Sequence, residues 1–584
     1  MLKRRAWVLG SLAAVVLSSC KTASTPPEPA PATAETPASA SERLAERSET
    51  IVGEYYSMYP GRAVELGLHE FDGKLREVSA SGLELEIEFI EDALSSLEAI
   101  DAPALDAEQR VVLAALQVAV RSELFELKTR RAPWRNPMFY LPSLNLVPYI
   151  ARDYAPLEQR ARAIVAIAEG SKDFLAHARA NLEPNLPRSF IDTALLQVRG
   201  TIEFVQADVP AAMSALEKTE RARLDQALAV MVEALWAYEA ELVKRQASAT
   251  DEFALGAEGF VAMLEQTQGI AVELPRLREI GQRDLERNRA AMEEAARTIA
   301  PKADVRRTVL GVLDEKPPAD QVLALAAEQA TQMRAFLVER QLVTIPTEDV
   351  AVVVPSPPFM RWNSAFLDPA GVFETANLPS FYYISPPDPS WPKEQQQGYI
   401  PSGVGLLFTT IHEVWPGHFL HRLHIGQQPA RALKSYWNYA MGEGWAHYAE
   451  QMMWDEGVSE DPKVRIGQLK NALLRNVRYL SAIGLHTGEM TVEQSMAMFR
   501  DQAFLDEASA RQQAIRGTFD PMYLSYTLGK LIILELRDDW MAQRKEQGQA
   551  PDLRAFHDEL LSFGLAPLPA IREAMLGPES GPLL

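Results

Sequence analysis

Cysteine is nearly missing from this chain: one residue, Cys20, in 584. A lone thiol excludes an internal disulfide framework and any metal cluster built on thiolates. Basic residues are also short relative to acidic ones, 58 Lys plus Arg against 79 Asp plus Glu, for a formal net charge of −21. A surface of that sign is repelled by phosphate backbones, which excludes nucleic acid as an expected partner. There is no Gly-x-Ser-x-Gly elbow, no phosphate-binding Gly-Lys-Ser/Thr loop and no Gly-x-Gly-x-x-Gly turn, so serine hydrolases and nucleotide or dinucleotide enzymes are not expected. Histidine is sparse too, at nine residues. Without thiolates, a bound metal must be held by these histidines and by carboxylates. What is present is the balance of a globular protein, 47% hydrophobic and 23% charged. At roughly 150 residues per domain the length allows about four units, or fewer large ones.

The chain opens Met1-Leu2-Lys3-Arg4-Arg5, followed by an apolar run from Ala6 to Leu17 and by Ser18-Ser19-Cys20. A basic start, about a dozen apolar residues and small residues before a cleavage point describe a secretory signal over residues 1–19. The run is shorter than the roughly 20 apolar residues of a membrane span. Leu17-Ser18-Ser19-Cys20 resembles the bacterial lipobox, which makes Cys20 the expected lipidation site. Residues 20–43 then read as a disordered tether, rich in Pro, Ala, Ser and Thr and without periodicity. Lys21 after the cysteine resembles the sorting pattern for the outer membrane, so the expected location is the cell envelope, lipid-anchored and facing the periplasm. Loss of Lys3, Arg4 and Arg5 with the signal leaves 55 basic against 79 acidic residues, a charge of −24.

From there to about residue 340 a helical period dominates, as in LELEIEFIEDALSSLEAI and DAEQRVVLAALQVAVRSELFELK. Between about 340 and 405 prolines cluster and β-rich runs appear at DVAVVVP and SFYYISP. Helical texture then returns to the end. The expected fold is mainly α: a large helical protein with a small antiparallel sheet, an N-terminal helical region over 44–340 and a C-terminal catalytic region over 341–584.

Five of the nine histidines fall within 36 residues: His412, His418, His421, His424 and His447. His412-Glu413 in an apolar helical stretch suggests a zinc hydrolase, in which the His ligates and the adjacent Glu is the base. The usual second His, four residues on and about 40° around the helix, is here Pro416. His418 lies six residues on, about 240° around an ideal helix and on the wrong side. Zinc binding by this pair therefore requires a distortion at Pro416-Gly417, where one residue lacks a donor and the other permits unusual torsions. Downstream, Glu443, His447 and Glu450 share a helical stripe at i, i+4 and i+7. Glu443 is the candidate third ligand, which leaves an open position for water, and His447 would stand beside the metal. His421 and His424 read as surface residues.

These segments resemble the bacterial family called domain of unknown function 885. His412-Glu413-Val414-Trp415-Pro416-Gly417-His418 and the Glu-Gly-Trp-Ala-x-Tyr-Ala-Glu run from Glu443 to Glu450 carry the resemblance. Near the C-terminus Arg516, Pro521, Tyr526 and Gly529 match a third family segment, whose Gly-Gln pair is replaced by Met522-Tyr523. The resemblance implies kinship with gluzincin-like metallopeptidases, a helical fold around a deep cleft, metal ligands His412, His418 and Glu443, and Glu413 as base.

The function expected on these grounds is hydrolysis of peptide amide bonds by a zinc-activated water, with Glu413 moving the proton and Tyr526, Arg516 and His447 assisting the oxyanion. Phe381-Tyr382-Tyr383-Ile384 reads either as an edge strand that adds a peptide substrate or as a buried strand. The competing function is a non-catalytic ligand-binding lipoprotein with a degenerate cleft.

Overall fold

Leu44, Ile51, Val52 and Tyr56 recur at helical spacing, and their buried face defines a helix over Ala40–Met58. Ala40, one turn before Leu44, is buried on the same face, so residues 40–43 of the expected tether are helical instead. The structure is a computed structural model that describes residues 38–584 apart from 358, 359, 361–363, 582 and 584. The expected signal (1–19), the lipidation site Cys20 and most of the tether lie outside the described residues. From Ala40 to Leu584 the chain forms one compact unit, and the change of texture near residue 340 falls inside it.

The fold is mainly α. One core is an antiparallel bundle of the Leu157–Asn181, Arg188–Ala212 and Lys218–Arg245 helices. Ile164, Leu195, Val198, Met231 and Leu235 close its interior, each such side chain contributing about 1.5–3 kcal/mol by burial. A larger core lies in the C-terminal half, where Phe408, Ile411, Trp445, Tyr448, Leu528 and Ile532 interlock. Among the described residues no helix is long and apolar enough to cross a membrane.

Between these halves lies a sheet of three strands: β1 (Ala351–Pro355), β2 (Ala365–Asp368) and β3 (Ser380–Ile384), in the order β1-β3-β2. It is mixed, not antiparallel as expected: β3 runs parallel to β1 and antiparallel to β2. β3 is the most buried strand, with Tyr382, Tyr383 and Ile384 inside, and takes the centre; β2 returns antiparallel beside it, which leaves β1 to pair on its other side in parallel. A strand bonded on both sides cannot add a peptide, so residues 381–384 are the buried strand of the two alternatives. The two edges belong to β1 and β2.

Candidate metal centre

The first two site residues end a helix. Ser402 caps the Gly403–Glu413 helix by accepting from the Gly405 amide, and the apolar positions Leu406, Phe408 and Ile411 bury it. This helix stops at Glu413, and a second begins at His418. Between them the chain reverses sharply through a cis Trp415–Pro416 bond. The Gly417 amide donates to the Ile411 carbonyl at 3.0 Å. A Cβ on Gly417 would lie 1.7 Å from the His412 carbonyl oxygen, so only glycine fits there. Trp445 fixes the reversal from outside, its indole N–H donating to the Pro416 carbonyl at 2.8 Å. The six-residue spacing that fails on a regular helix thus puts the His412 and His418 rings 4.7 Å apart at 81°.

Glu443 comes from the Tyr439–Asp455 helix, capped by Asn438, whose side-chain oxygen accepts from the Met441 amide. This helix meets the Ser525–Glu546 helix backbone to backbone at Gly444 and Gly529. A Cβ on Gly529 would sit 1.9 Å from the Ala440 carbonyl, and one on Gly444 would sit 2.6 Å from Gly529 Cα. That approach brings Tyr526, at the start of the second helix, up to the site.

His412, His418 and Glu443 each offer one ligand atom within 4.8 Å of the others. Glu443 Oε2 lies 3.4 Å from His412 Nε2 and 3.2 Å from His418 Nε2. Tetrahedral zinc with bonds of about 2.0–2.1 Å demands donor separations of about 3.3 Å. Oε2 is buried and has no partner in hydrogen-bond geometry. The three lone pairs converge on a common centre, and the donor set fits a divalent metal with one position left open.

Behind the ligands lies a layer of fixed charge. His412 Nδ1 lies 2.9 Å from Glu450 Oε1 and 3.1 Å from Arg475 Nη2; a carboxylate can only accept, so the tautomer that donates to Glu450 leaves Nε2 facing the centre. Arg475 pairs with the same Glu450 oxygen at 2.9 Å. Burial and Arg475 push the His412 pKa down, but Glu443 and Glu450 outweigh them and hold it at about 9. Those carboxylates raise the basicity of Nε2 toward any electrophile, proton or metal. Burial works against ionised Glu443 and Glu450, yet His418 and His412 keep the first charged, and Arg475 with His412 the second.

The centre opens on a cleft of about 610 Å³ whose walls include His412, Glu413, His418, Glu443 and Tyr526. Glu413 Oε2 accepts from the Leu367 amide of β2 at 3.0 Å. Tyr526 stacks against His412 with ring centroids 6.2 Å apart at 20°, and Arg475 and Arg478 lie over its ring at 5.4 and 5.0 Å. Burial, and Glu443 after it, raises the Tyr526 pKa, so the hydroxyl keeps its proton.

Two expected participants are not brought to the cleft. Arg516 is engaged by Asp520 at 2.8 Å and by the Tyr439 hydroxyl at 3.0 Å. Its hydroxyl partner Tyr439 packs edge-on to Tyr526 at 5.7 Å, and the Arg516 charge also acts on Tyr526 through space. His447 is fully buried one turn behind Glu443, and neither ring nitrogen has a hydrogen-bond partner. Burial and Lys530 push its pKa to about 3. His421 and His424 are not surface residues either; they donate to the Gly564 and Thr344 carbonyls at 3.0 and 2.8 Å and tie the His418 helix to its neighbours. Sequence spacing placed Glu450 on the stripe without a role, and nothing around Arg475 in NALLRNVRYL marks it as functional.

Residues 60–575 match the family described as "Bacterial protein of unknown function (DUF885)". The chain belongs to this family. Its fold is shared by a candidate lipoprotein of unknown function from Shewanella oneidensis, with 22% identity, a TM-score of 0.76 and coverage of 91% of this chain and 99% of that one. A candidate lipoprotein from Colwellia psychrerythraea is similar at 18% identity, a TM-score of 0.77, and coverage of 92% and 98%. No curated protein matches the chain.

Proposed function

We propose that this DUF885 protein is a zinc-dependent hydrolase of peptide amide bonds, akin to gluzincin metallopeptidases. The observation that carries the reading is the convergence of His412, His418 and Glu443 beside Glu413 in one cleft. His412, His418 and Glu443 would hold zinc, which when bound would supply a Lewis acid and make water more acidic. Glu413 takes a proton from the attacking water and passes it to the leaving amine. The Leu367 amide holds one of its oxygens and leaves the other for this work. The Tyr526 hydroxyl donates to the developing oxyanion, a contact whose loss typically costs about 10²–10³ in rate. Leu367 N–H points away from β3 into the cleft, so the β2 edge is the surface along which an extended peptide lies.

The test is elemental analysis of the purified chain with a peptide-library assay of wild type beside Glu413→Gln. Bound zinc and hydrolysis abolished in the variant are expected. Absent zinc, or hydrolysis unchanged in the variant, overturns the reading. Bound zinc with no hydrolysis by either chain points to a ligand-binding protein with a degenerate cleft.

We further infer a lipid-anchored envelope protein, from the sequence around Cys20 and from the description of the two structural relatives. Cys20→Ala is expected to move the protein from the membrane fraction to the soluble fraction. An unchanged distribution would remove the anchor.

A further inference from the structure

Charge in the cleft walls is paired with two conspicuous exceptions beyond the catalytic carboxylate. Arg62 pairs with Glu65 at 3.2 Å and Arg152 with Asp368 at 2.9 Å. His69, stacked on Tyr154, takes Asp72 at 3.1 Å and Glu374 at 3.2 Å. Glu443 faces the two metal-binding histidines. Arg422 and Lys434 also line this cleft. Among the described residues neither forms an ion pair. Their hydrogen bonds go to neutral carbonyls: Arg422 Nε and Nη2 donate to Ala370 O at 3.1 and 2.8 Å, and Lys434 Nζ, which also lies 5.9 Å from the Phe373 ring centroid, donates to Gly426 O at 3.0 Å. Each is partly buried, where an uncompensated charge is expensive to keep. Burial lowers the pKa of both, that of Arg422 to about 10 against the opposing fields of Asp349 and Glu374, and Arg422 also lowers that of Lys434, which places Lys434 within the field of Arg422.

We propose that Arg422 and Lys434 form a subsite for a carboxylate of the substrate, a reading that rests on the hydrolase proposed above. Arg422 follows His418 by one helical turn, about 6 Å along the axis. That distance is about two residues of extended peptide at 3.3–3.6 Å each. The carboxylate recognised is therefore carried within about two residues of the bond cleaved, either as the free C-terminus or as an acidic side chain. A guanidinium with donors left over after Ala370 suits a planar carboxylate, and the ammonium adds charge without demanding a fixed orientation.

The experiment compares N-acetylated tripeptides ending in a free acid or a carboxamide, and carboxamides with Glu or Gln at the last residue. Binding is measured by calorimetry on the zinc-loaded Glu413→Gln chain, and hydrolysis on zinc-loaded wild type. Both are repeated with Arg422→Met and with Lys434→Met, which lie on separate segments, so a folding defect in one leaves the other informative. Free acids are expected to bind about tenfold or more tightly than amides, a preference each substitution reduces to about twofold. In hydrolysis, KM for the acid should rise by a similar factor with kcat nearly unchanged, while the amide is unaffected. A structural role for Arg422 in holding the Ala370 loop would weaken both peptide classes equally. A preference for Glu over Gln amides assigns the subsite to side chains; a preference for the free acid alone assigns it to the C-terminus. Equal binding of all probes, or a preference that survives both substitutions, overturns the subsite even where hydrolysis is robust. Acid-selective binding lost in both variants, with no hydrolysis by wild type, keeps the subsite and overturns the peptidase.

Discussion

The bundle over residues 157–245 and the helices over 403–486 are both buried helical layers, but they fill their interiors differently. The bundle buries Ile, Leu, Val, Met and Ala and almost no charge; Arg160, its exception, is satisfied by the Tyr149 and Ala155 carbonyls and by Asp153. The second layer buries His412, His447, Glu450, Arg475 and Arg478 within a few side-chain lengths of one another. Buried charge is costly and contributes little net stability even when paired. A layer that accumulates it is organised around something other than stability, whereas the bundle is a scaffold.

The largest effect that sharpens this contrast is expected at Gly417. Gly417→Ala places a methyl where the His412 carbonyl already is, so the reversal must open and His418 must leave the centre. Stoichiometric zinc and hydrolysis should both be lost while far-ultraviolet circular dichroism stays helical. A variant that retains zinc would show that the reversal does not set the ligand geometry.

Glu450→Gln comes next. It keeps an acceptor for His412 Nδ1 but leaves Arg475 as an uncompensated buried charge. Zinc affinity should fall about 10–100-fold, with a stability loss of about 3–5 kcal/mol. Unchanged zinc affinity would reduce Glu450 to a packing role. Leu235→Ala, in the fully buried centre of the bundle, should cost about 2–5 kcal/mol in denaturant unfolding while leaving the zinc affinity of the folded chain unchanged. A parallel loss of zinc affinity would break the division between scaffold and site.

How much of this was legible in the sequence differs between the two layers for the same reason. Helical periodicity marks a face that buries apolar side chains, so the helical segments and the mainly α class could be read directly, but not the bundle they form. Glu443 and Glu450 share a stripe for that reason as well. The sheet was read with the wrong pairing, because strand order depends on which strand is buried on both sides, and the burial of Tyr382 and Tyr383 is set only in three dimensions while the more apolar β1 lies at an edge. The His412–His418 pairing was readable only as a requirement: Pro416-Gly417 permits a reversal, but nothing local says that Trp445, 29 residues on, will hold it. Arg516 misled because an arginine near a tyrosine in sequence need not share its cleft; Asp520, four residues on, claims it first. Arg422 carried no spacing signal. Its interest arises from its place in the cleft wall without a direct ion pair, which only the fold can establish.

The smallest effect expected tests whether buried charge outside the site behaves as part of the scaffold. Tyr59, between the first two helices, has its hydroxyl 2.5 Å from Glu86 Oε1 and 2.8 Å from Glu123 Oε2. One hydroxyl has one proton to give, so one of the two carboxyls must itself be protonated to complete the second bond. Glu86 is also paired with Arg76 at 2.6 Å. Glu123 is the neutral partner, its pKa pushed up to about 7, by burial first and by Glu86 as a lesser cause. Because the folded value lies above the unfolded one, the contribution of this group to stability is complete below about pH 4.5 and is lost as pH rises through about 7. Glu123→Gln holds the neutral form at every pH. The variant should therefore match wild type in stability near pH 4.5 and exceed it above pH 7, by up to about 3 kcal/mol for the full shift, with zinc affinity and hydrolysis unchanged. A Tm difference that does not vary with pH would mean that Glu123 is ionised in the fold, and the Tyr59 cluster would then be held by Arg76 alone.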